Sequence, residues 1–132
     1  MADANKMKKR PVYLDLIRLS IDLPLPGMVS ILHRVSGVAL FFFLFLLLSL
    51  LQDSLASPQS FAAFKQTLAN PVAKLILLGL LWAYLHHFCA GIRYLYLDID
   101  VGTDLPKARA SSWAVLAVSI GLTLLIAARL LW

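Results

Sequence analysis

The chain has 132 residues, 61% of them hydrophobic and 14% charged, with a formal net charge of +5 and one cysteine, Cys89. Soluble domains carry roughly 45–50% apolar and about 25% charged residues, so the composition argues against a soluble globular protein. The wealth of aliphatic side chains excludes intrinsic disorder, and a lone cysteine excludes a disulfide framework.

A mean hydropathy of +0.82 and a length suited to one domain leave a small all-α integral membrane protein. The first 28 residues form an N-terminal segment, basic at Lys6, Lys8, Lys9 and Arg10. Within it, segment 13–23 alternates apolar and polar only in part, which suits an interfacial helix or an extended strip on a partner. Pro24, Pro26 and Gly27 predict a break just before the first span.

A helix crosses hydrocarbon in about 20 mostly apolar residues. Charge-free runs at 35–52, 75–92 and 110–128 meet that need, and they predict helices near 29–51, 71–95 and 111–131. Residues 29–132 therefore form a three-helix transmembrane domain. The first run is too long for a signal-peptide core, so it is expected to be a retained span. Ser57 and Pro58 open a short loop, followed by an interfacial segment at 61–68.

Lys and Arg set the orientation. Lys6, Lys8, Lys9, Arg10, Arg18, Arg34, Arg93, Lys107 and Arg109 lie on one side, against Lys65, Lys74 and Arg129 on the other. The N-terminus and the second connection are thus expected in the cytoplasm, with the protein multi-pass in a bacterial-type inner membrane. The same bias accounts for the positive charge without nucleic acid.

Polar residues in hydrocarbon are costly and usually retained for a role. Ser30, His33 and Arg34 share one face at the start of the first span. A hydroxyl and a guanidinium there can donate to carbonyl oxygens of a small molecule; equally, Arg34 can snorkel to the headgroups. In the second span His87 precedes Arg93 by six residues, roughly 9 Å of depth. Such an imidazole needs a hydrogen-bond partner or a metal, and haem iron commonly takes histidine.

Gly79, Ala83, His87 and Gly91 form a stripe of small residues around His87, with room for a flat macrocycle or for close helix packing. His86 lies about 100° away and is expected to face another helix or lipid. No CxxCH motif occurs, so a haem would be held non-covalently. Arg34 and Arg93 could neutralise its propionates. A single histidine at this depth and a thin bundle both call for a partner with its own spans.

Ser30-Ile-Leu-His-Arg-Val-Ser-Gly37, His87-x-x-x-Gly91-Ile-Arg93, Asp98 and Arg10-Pro-Val-Tyr-Leu-Asp-Leu16 together resemble the cytochrome b subunit of succinate dehydrogenase, the larger of two membrane anchors in respiratory complex II. The resemblance implies a bundle shared with a second small anchor subunit. An iron–sulfur subunit and a flavoprotein subunit would join them, with succinate oxidised in the latter and no catalytic residue for that step in this chain. It implies a b-type haem between the anchors and ubiquinone as electron acceptor.

By motif position Ser30 and Arg34 resemble the quinone-site pair and His87 the axial ligand. His33, Arg34, Arg93 and Asp98 fall near the propionates or the quinone. Tyr94 departs from the family, which often has histidine there. Two alternatives stay open on the residues: the anchor of a quinol:fumarate reductase, or a haem-free structural anchor or small transporter.

Overall fold

The computed structural model describes residues 23–130. The basic N-terminal cluster, nearly all of segment 13–23 and the 10–16 motif lie outside the described residues.

Four helices follow in chain order: α1 (Leu25–Ala56), α2 (Pro58–Ala69), α3 (Pro71–Asp98) and α4 (Leu105–Leu130). Three of them, α1, α3 and α4, are long and apolar enough to cross a membrane, and no strand occurs among the described residues. Each boundary has a local cause. Pro24 is the N-cap of α1, and the Gly27 amide bonds to its carbonyl at 2.8 Å. The break expected at Pro26 and Gly27 does not occur; both sit in the first turn of α1. Amides there have no intrahelical acceptor, so a proline loses nothing.

Ser57, in an extended conformation, stops α1 and opens α2 through a reciprocal capping box with Ser60. The segment expected at 61–68 is part of this 12-residue helix. Asn70 then ends α2 and caps α3, its Oδ1 accepting from the Val72 amide at 2.8 Å. After α3 the chain reverses through Asp100 (φ 60°) and Gly102 (φ 80°), two residue types that tolerate the left-handed region. Asp104 starts α4 by accepting from the Lys107 amide at 3.0 Å. That cap, followed by Pro106 in the first turn, starts the helix six residues before the expected 111.

Helix α3 packs against both α1 and α4. Val29, Ala90 and Val115, one from each span, form the buried cluster. Most large apolar side chains point outward; Phe42 is 70% exposed. In lipid that exposure costs nothing, so close approach of small residues holds the helices together. On α4 the inward stripe is Ser112, Val115, Ser119, Thr123 and Ala127. Its hydroxyls bond to carbonyls of their own helix, as in Ser112 to Ala108 at 2.7 Å and Thr123 to Ser119 at 2.7 Å, so none is left unsatisfied in hydrocarbon.

Candidate functional site between α1 and α3

His87 meets α1 at the turn from His33 to Gly37. Its Nδ1 lies 2.9 Å from the His33 carbonyl oxygen and 3.3 Å from Ser36 Oγ. A carbonyl can only accept, so Nδ1 carries the proton and donates. Ser36 spends its own proton on the same carbonyl at 2.9 Å. The arrangement assigns the lone pair of His87 to Nε2.

The His33 and His87 rings stack with centroids 4.1 Å apart and planes 10° apart. On its other side His33 meets Tyr94, tilted 49° at 5.1 Å. Gly37 permits the stack: a Cβ there would lie 2.8 Å from His87 Cε1. Gly91 faces His33, with Nε2 3.8 Å from where its Cβ would be, whereas a Cβ at Gly79 would meet nothing within 4 Å. Of the expected stripe, Ala83 is buried, His87 and Gly91 half-buried and Gly79 exposed.

His86 has the opposite character. It is 0% exposed and stacks on Trp82 at 5.1 Å; its ring approaches the Val29 backbone without forming a hydrogen bond of good geometry. His87 stays half-exposed on the bundle surface. On α1, Ser30 and His33 are half-buried and Arg34 is exposed, so the three span one turn with the guanidinium free to reach outward. Asp98 is exposed as the last residue of α3.

Arg93 extends its guanidinium toward α4, with Cζ 5.4 Å from the centroid of the Tyr94 ring. It is buried, its Nε donating to Ser111 Oγ at 2.9 Å and its terminal nitrogen to the Ala108 carbonyl at 3.4 Å. Both acceptors belong to α4, so the structure does not bring Arg93 together with Arg34. The sequence motifs contained Ser36 and Gly37 without giving them a part. The signal was there: a glycine inside an apolar helix costs about 1 kcal/mol relative to alanine and points to a close approach.

The family profile described as succinate dehydrogenase/fumarate reductase transmembrane subunit matches residues 6–126. The chain belongs to this family. A succinate dehydrogenase cytochrome b556 subunit from Coxiella burnetii is 39% identical over 112 residues, covering 84% of this chain and 88% of that relative. The one from Paracoccus denitrificans is 34% identical over 127 residues, covering 95% and 94%, and one from Rickettsia felis is 34% identical over 120 residues, covering 89% and 90%. As a succinate dehydrogenase-type transmembrane subunit, the chain is a component of an oxidoreductase complex with other subunits.

Proposed function

We propose that this chain is the larger membrane anchor of a succinate:ubiquinone oxidoreductase, supplying one axial ligand of a b-type haem and part of the quinone-reduction site. The observation that carries the reading is the state of His87. Its Nδ1–H is committed to the His33 carbonyl, and metal-binding histidines almost always donate their second nitrogen in this way. The remaining lone pair sits on Nε2 of a half-exposed ring, accessible to a macrocycle shared with a second anchor. His86 has no such access, being enclosed by the bundle.

These residues fit a haem. His87 would hold the iron, with His33 and Arg34 on the side of the propionates and Arg93 kept by α4. The bound group would supply one-electron exchange in the membrane. Ser30 and Arg34 donate hydrogen bonds to the quinone carbonyl oxygens and stabilise negative charge there as electrons arrive from the iron–sulfur partner. Asp98 and water from the cytoplasmic side supply the protons. Succinate is oxidised in the flavoprotein partner.

The lysine and arginine distribution supports a cytoplasmic N-terminus in a bacterial-type inner membrane. A reduced-minus-oxidised spectrum of the purified complex tests the reading. A b-type band is expected, and a flat difference spectrum would reduce the chain to a structural anchor.

A further inference from the structure

Arg93 is 7% exposed, and among the described residues no carboxylate forms an ion pair with it. Its acceptors are neutral: the Ser111 hydroxyl and the Ala108 carbonyl. The Tyr94 ring under its guanidinium, 5.4 Å from Cζ to centroid, offers a quadrupole and not a counter-charge. A buried charge without a partner costs several kcal/mol, so this cation calls for an anion.

The residue also lines a cavity of about 300 Å³ between α3 and α4, with Ser111 and Lys107 as further polar wall and Ile92, Val101 and Ala114 among the apolar wall. Lys107 is already paired with Asp104 at 2.8 Å. The cavity therefore keeps a net charge of one, that of Arg93. Arg93 lies five residues, about 7.5 Å, inside the end of α3, the depth of the polar headgroups.

We propose that this α3–α4 cavity binds the phosphodiester of a membrane phospholipid, with Arg93 as its counter-ion. The charge matches a singly negative phosphodiester, and the guanidinium suits paired oxygens. Basic pockets between membrane helices are known lipid-headgroup sites. The volume holds a headgroup and little more, so the acyl chains run out past Ile92 into the bilayer. Ile92 is 42% exposed and Val101 52%. The cavity opens on the α4 side of α3, whereas the His33–His87 stack faces α1. Tyr94 separates them, with His33 against it and the Arg93 guanidinium over its ring, and the proposal does not depend on the haem reading.

The test uses the complete complex, purified in detergent, exchanged extensively into lipid-free detergent and analysed for residual phospholipid phosphorus and acyl chains per complex. The wild-type complex retains one phospholipid more than Arg93→Gln, and Arg93→Lys retains it in part. Re-addition of phosphatidylglycerol micelles restores it to wild type with affinity about tenfold or more above Arg93→Gln, the scale of a lost charge-assisted contact.

Ala114→Leu fills the cavity without touching the bonds of Arg93 to α4, so it displaces the lipid even if Arg93→Gln fails to assemble. Equal lipid content in wild type and Ala114→Leu overturns the proposal. Retained phosphorus without acyl chains overturns it in favour of free phosphate. Equal lipid content with Arg93→Gln losing a subunit overturns it in favour of a carboxylate on a partner.

Discussion

The His87 ring lies flat against the ring of His33, 4.1 Å between centroids, while its Nδ1 bonds to the backbone carbonyl of that same residue. One residue of α1 thus sets both the plane and the tautomer of the α3 histidine. Because the bond comes from backbone, it survives substitution of the His33 side chain. His87→Ala is expected to abolish or strongly weaken the b-type band. His33→Ala keeps the band and shifts its midpoint potential, since the stacking face is lost and the hydrogen bond is not. A potential unchanged within error in His33→Ala would sink the stacking role; redox titration followed at the α-band reads both.

Gly37→Ala places a methyl group 2.8 Å from His87 Cε1, closer than real contacts allow. Backbone on α1 and the ring must move apart, so haem content is expected to fall severalfold while the subunits still co-purify. Retention of full haem content would show that the ring has other room. Gly79→Ala is the control, because nothing lies within 4 Å of the added carbon.

His86 is enclosed by the bundle with only a poorly formed contact to the Val29 backbone. Replacing such a group by an apolar one of similar shape removes a penalty of about 1–3 kcal/mol. His86→Phe is therefore expected to raise the unfolding midpoint in detergent and to leave the b-type band intact. A lowered midpoint would mean that a partner subunit or a buried water satisfies this imidazole in the complex.

Ser30→Ala and Arg34→Ala are expected to depress ubiquinone reduction by about tenfold or more each, the cost of losing a donor to developing charge. Succinate oxidation with an artificial acceptor is expected to continue, because the proposed function assigns that chemistry to another subunit. Parallel loss of both activities would falsify the local quinone role.

Asp104 offers a pH test outside the membrane. Lys107 binds its carboxylate through both side chain and amide, holding the carboxyl below the ordinary aspartate range. A depressed folded-state value means that the capping contribution is complete above the unfolded pKa, roughly 3.9, and is lost as pH falls through the lower folded value. Exchange protection of the Lys107 amide, measured relative to Asp104→Asn, is expected to hold down to about pH 4 and fall below it. A decline already complete at pH 5 would contradict the pairing.

The three spans were legible because charge cannot be tolerated in hydrocarbon, and charge-free runs of sufficient length announce themselves. Their ends were less so. Pro26 and Gly27 read as a break, yet a first helical turn accepts both without losing a bond. Asp104, three residues ahead of Lys107, was visible as a cap in hindsight. Family membership was legible too, since the 30–37 motif and the spaced His87, Gly91, Arg93 and Asp98 set polar residues at fixed places in otherwise apolar helices.

Side-chain direction was legible only in part: the small-residue stripe set His87 apart from His86, but whether His86 met a helix or lipid was open. A helix apolar on every side has no hydrophobic face to orient it, so that choice was left to packing. Amino-acid order determined that polar groups would gather at one end of three membrane helices. Tertiary packing decided that His87 would lean on α1 with a free nitrogen, that His86 would be sealed inside, and that Arg93 would turn to α4. In lipid the contact surfaces are chosen by small residues and hydrogen bonds, and these act only once the helices have met.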